Sequence, residues 1–232
     1  MKVSCLIATK NPDFNDFLRC LESIEKQVDQ LVIIDDFSTN NTIRKALKKI
    51  SNSELEVTYV RNKFSLGQTK SLIKGIRFCR FEFIARVDDD DYWLPSKIDK
   101  QLAIFKKNKK IVLCGTSFRT IRDIKKFNSE QLVEISDFKN AFLKGNPFAH
   151  SSVVFKKSDY LKVGGYDEKF FESQDYHLWL RLYELGELAI LNEVLTVLKY
   201  VKRNSFKDII KLHYMFLIEI KLKFYFIRKN KM

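Results

Sequence analysis

Four consecutive aspartates, Asp88 to Asp91, follow an apolar run that ends at Val87. Like charges packed this closely repel, and one or more of their pKa values rise unless a cation sits among them. Carboxylates are hard oxygen ligands suited to Mg²⁺ or Mn²⁺. Mg²⁺ takes one or two of them and completes its shell with substrate phosphate oxygens. A strand-end Asp-x-Asp therefore suits a metal–diphosphate complex. The competing assignment is a solvated acidic turn that caps the next helix. Two more polar clusters, Ala8-Thr9-Lys10-Asn11 and Asp35-Asp36, also terminate apolar runs. Arg86 precedes the acidic run, and its guanidinium can fork onto a diphosphate or pair with the aspartates.

These clusters need a frame to bring them together, and the periodicity supplies one. Val3 to Ala8, Leu31 to Ile34, Val57 to Val60, Phe83 to Val87 and Ile111 to Cys114 are apolar runs of strand length. Between them, helical spacing covers Phe14 to Ile24, Ile43 to Ile50 and about Gln68 to Cys79, and Pro95 opens another helix through Phe105. This alternation predicts an α/β fold with a mostly parallel sheet and helices on both faces. In such folds ligands bind at the carboxyl ends of the strands, where all three polar clusters fall. The second half is less regular. It carries helical signals over Asp137 to Leu143 and Asp175 to Leu185, a strand-like run from Ser152 to Phe155, and a turn at Val163-Gly164-Gly165-Tyr166-Asp167.

The 232 residues fit one domain, with or without an appendage, and can bury a substantial core. With 7 Gly and 3 Pro the chain is neither collagen-like nor disordered. A net charge of +13 suits nucleic acid, an anionic membrane surface, an anionic substrate or a solvated lysine-rich surface, and does not choose among them. Cys5, Cys20, Cys79 and Cys114 lack CxxC spacing and nearby His, so they read as small buried hydrophobes in a reducing compartment. No apolar stretch approaches about 18 residues, and the first apolar run is too short for a signal peptide. The expected location is the cytoplasm or the inner face of the cell membrane.

Five segments resemble the family 2 inverting glycosyltransferases. Val3 to Asn11 is similar to their first strand, and Val32 to Thr39 to their Asp-Asp-Gly-Ser segment. Ala85 to Pro95 looks like their metal motif. Val163 to Glu168 and Asp175 to Arg181 match two later signatures. Together they span roughly Lys2 to Tyr200. The resemblance implies a GT-A fold. Residues 1–115 would be the nucleotide-sugar-binding half, 116–204 the acceptor-binding half, and 205–232 a basic amphipathic C-terminal helix.

The resemblance also implies roles. Ala8, Lys10, Asp35, Asp36, Arg86, Asp88 and Asp89 would bind the nucleotide, with Asp35 or Asp36 on the base and Asp89 near the ribose. Asp90 would ligate Mn²⁺ or Mg²⁺ with Asp88 in support, and Asp91 would cap the next helix. Asp175 would be the general base, taking the proton of the acceptor hydroxyl. His150, Gln174 and Arg203 would lie near the acceptor or the phosphates. The chain departs from the family pattern at Gln174, where a Glu is usual, and at Lys10, where an aromatic often stacks on uracil. It departs again at Phe37, where a Gly is usual, and a different turn is expected there. The implied donor is a UDP-sugar. The implied acceptor is a saccharide, lipid-linked in many relatives, in bacterial surface polysaccharide or lipooligosaccharide synthesis. The tail, with Phe206, Ile209, Ile210, Phe216, Leu217, Ile220 and Phe224 beside Lys221, Lys223, Arg228, Lys229 and Lys231, suits either an anionic membrane surface or packing on the core. Two rival functions are a nucleotidyltransferase, which would need a Gly-rich phosphate loop near the N-terminus, and a non-catalytic basic protein. No nucleic-acid-binding signature is present.

Overall fold

A computed structural model describes residues 1–50, 54–121, 137–199, 217, 218, 220–224, 227 and 228. The strands are β1 (Val3–Thr9), β2 (Gln30–Asp35), β3 (Glu56–Arg61), β4 (Phe83–Arg86), β5 (Tyr92–Trp93), β6 (Ile111–Thr120), β7 (Val154–Lys156) and β8 (Glu187–Leu198). The helices are α1 (Phe14–Ile24), α2 (Thr42–Leu47), α3 (Gln68–Ile76), α4 (Lys97–Lys107), α5 (Phe138–Lys144), α6 (Lys157–Lys162) and α7 (Gln174–Leu185). All eight strands join one sheet in the order β3-β2-β1-β4-β7-β6-β8-β5. The β3-β2-β1-β4 half is parallel throughout. The antiparallel strand β7 then separates β4 from the parallel pair β6–β8, and β5 closes the edge antiparallel to β8.

Alternation along the strands explains the two layers. Leu6, Ala8, Val32, Ile34 and Ile84 face one side, where α3 and α7 cover them through Leu72, Ile76, Leu178 and Trp179. Val3, Cys5, Ile7, Leu31 and Ile33 face the other, under Phe17, Leu21 and Ile24 of α1 and Ile98, Leu102 and Phe105 of α4. Helix α3 lies very close to β1, because a Cβ on Gly75 would collide with Leu6 Cδ1. All four cysteines are free and buried, as expected.

Several elements depart from the expectations raised by the sequence, among them the unexpected short helix α6. The strand β8 escapes the periodicity because Asn192 and Glu193 interrupt its two apolar runs, and its register with β6 shifts at several points. The two-residue β5 is too short to carry a pattern. Helix α4 begins at Lys97, not at Pro95, after Ser96 takes a left-handed φ of 65°. Lys97 itself is fully buried, beneath the Trp93 ring at 4.1 Å and hydrogen-bonded to Gln101 at 2.8 Å; burial lowers its pKa to about 7. Of the C-terminal tail, the described residues are helical. Leu222 is buried, while Leu217 and Phe224 are exposed. Phe206, Ile209, Ile210 and Phe216 lie outside the described residues.

Candidate active site

The carboxyl ends of β1, β2 and β4 bring the three polar clusters to one edge. Asp36 is buried and accepts four hydrogen bonds: Asn62 Nδ2 at 2.8 Å, Ser65 Oγ at 2.7 Å, Leu66 N at 2.6 Å and Gly67 N at 2.9 Å. Burial alone would raise its pKa, but these donors outweigh it and the net shift is downward. Asp36 thus fixes the loop that enters α3. Asp35 accepts from Ser38 N at 2.7 Å and from the Tyr59 hydroxyl at 2.6 Å, with Arg61 Nε 3.8 Å away. Phe37 takes the left-handed φ of 65° that a Gly would adopt freely, and the Arg61 guanidinium lies 5.4 Å from its ring.

The four aspartates separate cleanly. Arg86 is buried and pairs with Asp88 Oδ1 at 2.5 Å, so it supports the acidic run from below. For Asp88, burial pushes the pKa up, yet Arg86 and Ser151 bring it below the usual value. Asp89 accepts from the Thr9 hydroxyl at the end of β1, and burial raises its pKa to about 6. Asp91 accepts from the Ser151 hydroxyl and from Lys199 N at 2.8 Å; burial, then Asp88, raises its pKa to about 7. Asp91 therefore does not cap α4, which starts six residues later, because its carboxylate is taken up by Ser151 and Lys199. Asp90 differs from the other three: among the described residues no other side chain donates to its carboxylate. Burial and the neighbouring Asp88 raise its pKa. Among the described residues, no three His, Cys, Asp or Glu side chains gather as a metal cage. A half-buried Asp90 with no side-chain donor, next but one to a scaffolded Asp88, is instead a set of one or two carboxylates, which fits Mg²⁺ or Mn²⁺ when a diphosphate supplies further oxygens.

Two clefts adjoin the acidic run. One, about 210 Å³, is lined by Ala8, Thr9, Lys10, Asp36, Gln68, Ser71, Asp88 and Asp89. Lys10 is exposed at its rim and donates to Ser65 Oγ at 3.1 Å. The other, about 270 Å³, is lined by Gln68, Asp88, Asn146, His150, residues 172 and 173, and Gln174, Asp175 and Tyr176 of α7. Asp175 sits in the first turn of α7 and accepts from Asn146 Nδ2 at 2.8 Å. Burial raises its pKa to about 6, against the lowering by nearby backbone N–H groups and Asn146. His150 is held by the Tyr166 hydroxyl at 2.8 Å, and burial, then Arg86, pushes its pKa down to about 3, so the ring is neutral at pH 7. Gln174 is buried and reaches Gln68 Oε1 at 3.4 Å. Arg203 lies outside the described residues.

The structure therefore brings together Ala8, Lys10, Asp36, Asp88, Asp89, His150, Gln174 and Asp175. It places Arg86 beneath Asp88, Asp35 in a separate cleft with Thr39, Tyr59 and Arg61, and Asp90 in the lining of neither cleft around the acidic run. It adds Thr9, Gln68, Asn146 and Ser151. Thr9 and Asn146 stand inside sequence segments of evident interest, but nothing in their spacing marks a partner. Ser151 and Gln68 reach the acidic run across 63 and 20 residues.

Comparison with known proteins is consistent across sequence and fold. The sequence pattern described as "Glycosyl transferase family 2" matches residues 4–161. Among similar proteins, the amylovoran biosynthesis glycosyltransferase AmsE of Erwinia amylovora is 29% identical over 201 residues, covering 83% of this chain and 74% of that protein. The O-antigen biosynthesis glycosyltransferase WbnJ of Escherichia coli is 32% identical over 161 residues, covering 66% of this chain and 59% of that one. In three dimensions, the S. aureus TarS 1–349 structure in complex with UDP superposes with a TM-score of 0.69 at 14% identity, over 95% of this chain and 65% of that one. The mannosyltransferase PcManGT of Pyrobaculum calidifontis, in complex with GDP-Man and Mn²⁺, gives 0.68 at 18% identity, over 88% of this chain and 58% of that one. The chain thus spans less than two thirds of the length of these solved proteins.

Proposed function

This chain belongs to glycosyl transferase family 2 and has a GT-A type fold; from that premise we propose that it is an inverting, metal-dependent transferase that moves a sugar from a UDP-sugar to a saccharide hydroxyl. The observation that carries the reading is that the cleft lined by Asp88 and Asp89 and the cleft lined by Asp175 share Asp88 and Gln68. A donor whose diphosphate lies at the acidic run would present its sugar to Asp175 across that seam. The nucleotidyltransferase and nucleic-acid-binding alternatives have no such support.

The residues divide the work. Ala8, Lys10 and the loop clamped by Asp36 form the nucleotide cleft, with Asp89 turned toward Thr9. Asp90, with Asp88, would hold Mn²⁺ or Mg²⁺, which when bound neutralises the charge on a leaving diphosphate. Asp175 takes the proton from the acceptor hydroxyl while that oxygen bonds to the anomeric carbon and the bond to the diphosphate oxygen breaks. Attack from the face opposite the leaving group inverts the configuration. A base whose pKa is near 6 is ionised at pH 7 and still basic enough to help. The biosynthesis of amylovoran and O-antigen by similar proteins points to bacterial surface polysaccharide as the pathway.

The test is a panel of nucleotide sugars with Mn²⁺ and saccharide acceptors, comparing the wild type with Asp90→Ala and Asp175→Asn. Loss of transfer in both, with the fold retained, is expected; near-normal turnover in both sinks the assignment. We further propose that Leu217 and Phe224, exposed on a tail segment rich in basic residues, meet an anionic membrane. No helix among the described residues is long and apolar enough to cross one. Replacing both with Ser should reduce flotation with phosphatidylglycerol vesicles, and equal recovery removes the idea.

A further inference from the structure

We propose that Gln68 is a specificity-determining residue for the transferred sugar, its side-chain amide hydrogen-bonding a ring hydroxyl or acetamido group of the donor; this rests on the function proposed above. Gln68 lines both clefts and is the first residue of α3. Its backbone is fixed from either side. Gly67, in a left-handed conformation with φ 84°, donates its N–H to Asp36, and the Thr69 hydroxyl donates to Phe170 O at 2.8 Å. The first contact ties Gln68 to the nucleotide cleft, and the second ties it to the loop that leads into α7 and Asp175.

The side chain, by contrast, is exposed and its present partners are exchangeable. Its amide N–H donates to Asp88 Oδ1 at 3.0 Å, an oxygen that Arg86 already holds at 2.5 Å. Its carbonyl accepts a long bond, 3.4 Å, from Gln174. Turning the amide toward a ligand leaves neither Asp88 nor the fold without support. The bond that breaks in the proposed reaction joins the anomeric carbon to the diphosphate. The sugar ring must therefore occupy the seam between the acidic run and Asp175, where Gln68 offers one donor group and one acceptor. That combination matches a hydroxylated pyranose, whose hydroxyls both give and receive hydrogen bonds. A site built to bond a particular hydroxyl rejects sugars that place it elsewhere.

Calorimetry in the presence of Mn²⁺ tests this on the full chain, wild type against Gln68→Ala, with UDP, UDP-glucose, UDP-galactose, UDP-N-acetylglucosamine, GDP and GDP-mannose. The wild type should bind one nucleotide and prefer one of its sugars. In the variant, affinity for the free nucleotide should stay within twofold. The affinity ratio of the preferred nucleotide sugar to the free nucleotide should drop about 5- to 10-fold, the loss expected of one neutral hydrogen bond. The preference among sugars should shrink with it. An unchanged ratio and preference overturns the proposal, as does an equal loss for nucleotide and nucleotide sugar, which would place Gln68 on the nucleotide. A wild type that binds none of the six overturns the proposed function and this inference together.

Discussion

The Asp91 carboxylate accepts the backbone N–H of Lys199 at 2.8 Å, across 108 residues of chain. The same carboxylate takes the Ser151 hydroxyl, while the Lys199 ammonium pairs with Asp16 on α1. One member of the acidic run is thus a structural anchor for the chain leaving β8, whereas its half-buried neighbour Asp90 has no such donor among the described residues.

Substitution should separate these two aspartates. Asp91→Ala leaves two donors without their acceptor and should cost about 3 kcal/mol of stability. Asp90→Ala removes no such acceptor and relieves repulsion, so without metal its stability should lie within about 1 kcal/mol of wild type. Urea denaturation of both variants in EDTA measures the difference. Equal losses would show that Asp90 also bears on the scaffold.

Asp175→Asn should lower turnover by about 10² to 10⁴-fold, the range of positioned proton transfer, with nucleotide affinity within twofold of wild type. Steady-state kinetics and calorimetry read the two effects separately. A variant that loses nucleotide binding in proportion to turnover argues for a role other than the base.

The pH profile follows from the same group. With a pKa raised to about 6, Asp175 is protonated and inactive as a base below that pH, so turnover should rise through pH 6 and level off above it. Asn146 stabilises the charged form by its hydrogen bond, and a bond to a charged group is worth about 1.5–3 kcal/mol. Asn146→Ala should therefore move the rise upward by about one pH unit or more. A profile that does not move removes Asn146 from the positioning of the base.

Much of this arrangement is legible in the amino-acid sequence alone. The β1 to β4 repeat, the three polar clusters and α7 stand out because buried parallel strands are continuously apolar and helices carry a regular face. The second half of the chain is less legible. Strand β8 mixes Asn192 and Glu193 into its middle, and β7 has only three residues. Contacts such as Ser151 with Asp88 and Asn146 with Asp175 join residues that only tertiary packing makes neighbours. At Phe37 the side chain alone does not reveal the left-handed φ of 65°, which the loop's hydrogen bonds, Ser38 N to Asp35 and Asn11 N to Ser38 Oγ, accompany.

Stability should depend on pH and metal together. Asp89 and Asp91, with pKa values of about 6 and about 7, lie above the ordinary 3.8, so the folded chain holds their protons longer than the unfolded chain. Their contribution is fully present below about pH 3.8, declines as pH rises, and is lost above about pH 7. The melting temperature should fall between pH 5 and pH 8 in EDTA. Mn²⁺ at 100 times its dissociation constant should restore about 2.7 kcal/mol at pH 8, or roughly 5–10 °C, and less at pH 5, where protons compete. Differential scanning fluorimetry measures both; no Mn²⁺ effect at pH 8 removes the metal from the site.

The insertion of β7 between β4 and β6 has a consequence for how such a protein can be re-engineered. A strand encoded after residue 150 is hydrogen-bonded to one encoded before residue 90, so the first and second halves of the chain share a continuous hydrogen-bond ladder. A chimera cut at residue 115 would hand β4 a foreign partner strand and break the Ser151 contacts to the acidic run. Exchange of acceptor preference between relatives is therefore better sought in segments that leave the sheet untouched, such as α5 and the loop that follows it, which carry Asn146 into the cleft without contributing a rung to the ladder.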